Sequence, residues 1–173
     1  MGPSFAAHHD WARAGDVMVS LRALSALVVV DPDDATVEWM SRGPWLRQHD
    51  PDPLANGHLL VFDNLGHGGE AGSSRIVEWA PDDGRIVWSY TGSADRPFLC
   101  PWGGGQQLLP NGHVLVGDTA SGRMFEVDRR GERVWQFENP VRTRSPDGRE
   151  FVATLTRRIQ YVEPGSLSYL DAP

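Results

Sequence analysis

Apolar positions along this chain come in short bursts separated by turn residues, with the period of strands. Leu59-Leu60-Val61-Phe62 and Val114-Leu115-Val116 are compact apolar runs, each opened by an Asn-Gly turn at Asn56-Gly57 and Asn111-Gly112. Arg75-Ile76-Val77-Glu78-Trp79 and Arg123-Met124-Phe125-Glu126-Val127 follow them. Turns at Asp82-Asp83-Gly84 and Arg129-Arg130-Gly131 then lead into stretches that alternate towards Trp88 and Trp135. No apolar period of 3.6 persists beyond two turns, so the pattern predicts an all-β chain.

These stretches repeat. Leu54 to Asp63 matches Leu109 to Asp118 at an offset of 55 residues. A more diverged copy comes first: Gly15-Asp16-Val17-Met18-Val19, then Leu27-Val28-Val29-Val30-Asp31, then Thr36-Val37-Glu38-Trp39. The closing tryptophans Trp39, Trp88 and Trp135 lie 49 and 47 residues apart. Each unit reads strand, loop, strand, turn, strand, the signature of propeller blades, with the tryptophan expected between neighbouring blades. Blades are expected at about 8–47, 48–97 and 102–140, with a closing strand near Phe151 to Tyr161 in a tail over 150–173. Propellers close with about four to eight blades, so the expected architecture is an incomplete propeller of about three blades plus a trailing strand. Its open edges are association-prone, so the chain is expected to be either a fragment of a longer propeller or one part of a homo-oligomer that completes the ring.

Composition removes several functions. The 173 residues carry a net charge of −7, which argues against a nucleic-acid partner. All 16 basic residues are arginines, which excludes Schiff-base chemistry and a Walker lysine. A single cysteine, Cys100, excludes an internal disulfide and reads as a buried, inert thiol. The histidines show no metal-ligand spacing, and neither a metal nor a cofactor is expected. The longest aliphatic run, Ala26 to Val30, is too short to cross a bilayer. No secretory signal is visible in Met1 to Asp16, which by itself points to the cytoplasm.

The repeat also separates framework from candidate chemistry. His58 and His113 recur in register, as do Asp63 and Asp118, and both pairs read as turn structure. Positions preceding each first strand differ: His49 with Asp50 in the second unit, His8-His9-Asp10 in the first, and Gly103-Gly104-Gly105 in the third. At the far end of the first strands stand Arg22, Asn64 and Thr119. Equivalent positions on adjacent blades sit side by side, so the His-Asp pairs before the first strands and the glycine-lined gap of the third unit are expected around a funnel at one end. At the far end of its strand, the Arg22 guanidinium can clamp an oxyanion with paired donors.

The ordered segments Val17-Met18-Val19-Ser20-Leu21-Arg22, Val28-Val29-Val30-Asp31, Gln48-His49-Asp50, and Leu54 through Asn64 followed by Ser74-Arg75 resemble the bacterial arylsulfotransferase family. The resemblance covers roughly residues 8–140. It implies a six-bladed propeller, usually periplasmic, with further blades and a further site histidine upstream. It also implies transfer of a sulfuryl group from a phenolic sulfate donor to a phenol acceptor without a nucleotide donor, through a transiently sulfated histidine. By resemblance the nucleophile falls on His49, with Arg22 and His8 as its catalytic partners and Asp10, Asp50 and Asn64 as substrate-binding positions. Asp10 stands where the family has an amide, which removes an N–H donor and places a negative charge beside an anion. A non-catalytic binding or assembly module is the alternative. A quinone-binding propeller, suggested by Gly84 to Trp88 and Gly131 to Trp135, is the third reading.

Overall fold

The computed structural model describes residues 1–67, 74–153, 159–163 and 166–167. Apart from a single helical turn, α1 (Pro3–Ala6), and a 3-10 turn at Arg22–Leu24, the regular structure is antiparallel sheet. The first sheet holds β1 (Val17–Leu21), β2 (Ala26–Val30) and β3 (Val37–Ser41). The second holds β4 (His49–Pro53), β5 (Leu59–Asp63), β6 (Arg75–Ala80) and β7 (Arg85–Tyr90). The third holds β8 (Gly105–Leu108), β9 (Val114–Asp118), β10 (Arg123–Val127) and β11 (Arg133–Glu138). A hairpin of β12 (Arg142–Arg144) and β13 (Glu150–Val152) follows. Strands pair in chain order within each sheet, as the blades of an incomplete propeller do. Of the trailing strand expected over 151–161, residues 151–152 lie in β13 and residues 154–158 fall outside the described residues.

The middle sheet explains why the sequence shows apolar runs in place of strict alternation. On β5, Leu59 and Val61 face the first sheet, and join a cluster with Leu27, Val77, Trp79 and Trp45. Leu60 and Phe62 face the third sheet, with Ile76, Phe98, Val116 and Phe125. Both faces of β5 are buried, so every position is apolar until Asp63. The outer sheets pack on one face, and among the described residues their other faces are largely uncovered, Ile159 beside Gly117 and Tyr161 on Gln107 lying over part of the third. Val17, Val19, Val37 and Met40 of the first sheet are exposed, and so are Trp135 and Phe137 of the third.

The second and third sheets each contain one strand more than the three-strand unit read from the sequence. The additional strands are the first in each sheet, β4 and β8, and both have sequences that look like loops. β4 is His49-Asp50-Pro51-Asp52-Pro53, with an irregularity between His49 and Asp52 that accommodates Pro51 outside regular pairing. β8 opens on the last glycine of the run. Gly104 has φ +87°, and a Cβ there would lie 2.4 Å from the ring of Phe62. The glycines therefore serve close packing.

Neighbouring sheets are also joined by polar clamps. Between the second and third, Glu78 accepts from His58 Nδ1 at 2.7 Å and Asn56 Nδ2 at 3.3 Å. Arg129, from the β10–β11 turn, completes the clamp by donating to the other Glu78 oxygen. Burial pushes the Glu78 carboxyl up, but the bonds from His58 and Arg129 and the Arg129 charge outweigh it, leaving the pKa below the ordinary 4.5. A carboxyl depressed in the folded state contributes stability that is full above the unfolded value and lost as pH falls through the folded one. Thermal melts of the wild type should therefore fall more steeply below about pH 4.5 than those of Glu78→Gln. Parallel melting curves for the two proteins across that range would contradict the linkage.

Candidate functional site

His49 begins β4, pairs with Phe62 across the ladder, and remains partly exposed. Its ring is held by Asn64, the residue just past the end of β5, with His49 Nδ1 and Asn64 Oδ1 2.8 Å apart. The Asn64 side chain is fully buried, and its amide donates to the carbonyls of Cys100 at 2.7 Å and Gly103 at 2.9 Å. Two carbonyl oxygens can be satisfied only by the NH₂ end, so Oδ1 must face the imidazole. Facing an acceptor, His49 Nδ1 carries the proton and donates it, so the neutral ring has its lone pair on Nε2. The sequence sets these residues at separate positions of the unit; the structure supplies the bond between them.

The support continues outward. Ser74 Oγ donates to the Asn64 carbonyl at 2.7 Å and accepts from Cys100 N–H at 2.8 Å, fixing the segment that presents both carbonyls to Asn64. Asp63, next to Asn64, accepts from Leu46 N–H at 2.9 Å and Gly66 N–H at 2.8 Å, and pairs with Arg75 Nε at 2.8 Å. Burial pushes the Cys100 thiol up to about 12, and the Asp118 charge adds to it, so the thiol stays protonated.

Gln48, fully buried before His49, joins the first and second sheets. Its amide donates to the Ala26 carbonyl at 2.8 Å and to Ser20 Oγ at 3.1 Å, while the Ser20 hydroxyl donates back to the Gln48 carbonyl at 3.1 Å. Arg22 lies two residues beyond Ser20, opening the 3-10 turn, and so stands at the same end of the sheets as His49. No carboxylate among the described residues pairs with it. Asp50 has φ +47°, and its carboxylate accepts from Gln106 N–H at 3.2 Å, fastening β4 to β8.

His8 and Asp10 are not brought to this end. A Cβ on Gly57, in the turn beyond the far end of β4, would lie 2.7 Å from His8 Cβ, which places His8 a strand's length from His49. His9 explains the departure. Its Nε2 bonds the Gly57 carbonyl at 2.7 Å, its Nδ1 meets Asp82 at 3.1 Å, and its ring stacks on Trp11 with centroids 4.5 Å apart. Trp11 in turn stacks on Trp39 at 4.4 Å. These contacts fix the leading segment beside the β4–β5 turn, not as an inner strand of the first sheet. Asp10 is exposed there. Among the described residues no cluster of three or more His, Cys, Asp or Glu could hold a metal, and no helix is long and apolar enough to cross a membrane.

Stacked antiparallel sheets define a propeller-like protein, with a buttressed histidine as its candidate site where β4 begins. Within that class, the chain belongs to the arylsulfotransferase family: the family described as Arylsulfotransferase (ASST) matches residues 9–140. No curated protein matches the chain. Among solved structures it is similar to a protein of unknown function from Bacteroides caccae, at 17% identity and a TM-score of 0.49, over 79% of this chain and 48% of that one. It is also similar to BamB from Moraxella catarrhalis, at 18% identity and a TM-score of 0.43, over 83% of this chain and 47% of that one. The chain spans about half the length of these two structures.

Proposed function

We propose that this chain carries the nucleophile of a sulfuryl-transfer site, in which His49 takes the group from a phenolic sulfate ester and passes it to a phenol. The Nε2 lone pair attacks sulfur, the bond from sulfur to the phenolic oxygen breaks with its electron pair, and the phenolate leaves to be protonated by water. In the second half the acceptor phenol gives its proton to water and its oxygen attacks sulfur. The N–S bond then breaks, and its electron pair returns to Nε2. The observation that carries this reading is the Asn64 bond to Nδ1, which frees Nε2 for attack and supports the positive ring formed on sulfation. Arg22, at the same end and without a carboxylate partner among the described residues, supplies donors to the sulfuryl oxygens. His8 and Asp10 have no part in this scheme as the chain is folded here.

The test is release of phenol from a chromogenic aryl sulfate by purified protein, with a phenol acceptor and no nucleotide. Release that requires the acceptor, with parallel double-reciprocal lines as donor and acceptor are varied, is the expected result. Folded protein that releases no phenol above background, or releases it equally without acceptor, overturns the reading. A second reading, a binding or assembly module, is favoured by the uncovered apolar faces of the first and third sheets. It predicts a defined oligomer or captured partner from protein that is folded but inactive.

A further inference from the structure

We infer that the outer face of the third sheet is a receptor for an arginine carried on the β-turn of a partner polypeptide. The second sheet contains an occupied copy of the same receptor. There, Asn56 Nδ2 and His58 Nδ1 both bond Glu78 Oε1, and Leu60 and Trp88 are its partners on the flanking strands. Arg129 arrives from the turn of the next sheet. Its guanidinium donates to Glu78 Oε2 and lies 4.5 Å over the Trp88 ring, while Trp88 Nε1 donates to the Arg129 carbonyl at 3.0 Å. The turn is thus read by three features: guanidinium charge, guanidinium plane and backbone carbonyl.

The third sheet repeats every receptor residue. Asn111 Nδ2 and His113 Nδ1 bond Glu126 Oε1 at 3.1 and 2.6 Å, and Leu115 and Trp135 are the partners of Glu126 on the flanking strands. No arginine among the described residues meets this carboxylate. The Glu126 side chain is 21% exposed where Glu78 is 6% exposed, and Trp135 is 47% exposed. Asn111, Leu115, Glu126 and Trp135 line an open depression of about 680 Å³, rimmed by Ile159 to Val162. Room, charge and aromatic platform are therefore present together, with both contacts to the carboxylate made at Oε1, as in the occupied copy.

The charge pattern also selects the occupant. In a second copy of this chain stacked head to tail, the β2–β3 turn of the first sheet would take the place of the arginine turn. That turn reads Asp31-Pro32-Asp33-Asp34, with Pro32 where Arg129 stands, and would bring acid towards Glu126. A different polypeptide whose turn presents an arginine fits; a second copy does not.

The probe is a cyclic peptide closing the turn sequence Val127 to Glu132, titrated into the full chain and followed by the Trp135 indole N–H resonance, assigned by its loss in Trp135→Phe. The expected result is saturable binding with a shift of that resonance. Affinity should fall tenfold or more when the peptide arginine equivalent to Arg129 becomes lysine, and likewise in Glu126→Gln. Glu126→Gln keeps the size and the His113 contact, and circular dichroism checks its fold. No binding, equal binding of the lysine peptide, or undiminished binding by Glu126→Gln overturns the inference. So does a concentration-dependent dimer of the chain alone that Glu126→Gln disperses, because the face would then belong to a second copy.

Discussion

His49→Ala lowers acceptor-dependent phenol release to background, a loss of about 10⁴-fold or more if the ring is the atom-bonding nucleophile. Asn64→Leu, which keeps the size of the side chain but removes its acceptor, lowers kcat by about 10–100-fold through loss of control over the imidazole. The two variants separate chemistry from positioning. Asn64 touches no reacting atom in the proposed scheme; it decides which ring nitrogen holds the proton. The discriminating readout is the ¹⁵N chemical-shift pair of the His49 ring. In the wild type Nδ1 is protonated, and in Asn64→Leu the population moves towards the Nε2-protonated form. A merely structural Asn64 would leave the tautomer unchanged while activity fell. Because Asn64→Leu also strands the Cys100 and Gly103 carbonyls, it costs about 1–3 kcal/mol of stability, so the comparison is made well below its melting temperature. Substantial turnover by His49→Ala excludes His49 as the nucleophile outright.

Repeats alone singled out the positions of the candidate site but not their arrangement. Counting from the turn glycines Gly57 and Gly112 set His49 in register with Gly104, and Arg22 with Asn64 at the far end of the strands; the structure joins the two sets through the bond of His49 to Asn64. Local pattern failed where strand formation depends on distant partners. β4 carries two prolines and β8 opens on the last of three glycines, so neither has strand propensity; both form because adjacent sheets offer partners, through Gln106 on the Asp50 and Leu60 carbonyls and Gly104 on Phe62. The leading segment failed for the converse reason. Register alone set His8-His9-Asp10 side by side with His49 at one end, but the Trp11–Trp39 stack and the His9 bond to Gly57 hold it elsewhere, and neither is visible in a window of a few residues. The recurrence of Asp63 and Asp118 did signal turn capping, and the structure adds their arginine partners.

Those aspartates are where the largest loss of stability is expected. Asp63→Ala destabilises the fold by about 3–5 kcal/mol, a large share of the roughly 5–15 kcal/mol that holds a domain together. Asp63 is completely buried and its two oxygens serve three donors: Leu46 and Gly66 N–H on one, Arg75 Nε on the other. Alanine leaves the backbone donors unmet and strands the Arg75 charge, whose side chain is only 14% exposed. Asp118 provides the internal comparison. It is equally buried, pairs with Arg123 at 2.7 Å and takes a weak hydrogen bond from the Cys100 thiol, but among the described residues it accepts from one backbone N–H, that of Ser121, at 3.3 Å. Asp118→Ala should therefore cost less than Asp63→Ala, by about the worth of one good buried hydrogen bond, roughly 1 kcal/mol or more. Asp63→Asn keeps an oxygen for Leu46 and Gly66 but turns an amide NH₂ towards the guanidinium, and should fall between wild type and alanine. Urea unfolding of the three variants measures the order. Equal midpoints for Asp63→Ala and Asp118→Ala would mean that the ion pairs alone set the cost. The predicted order would mean that Asp63 also holds together the loop end on which Asn64, and through it His49, depends.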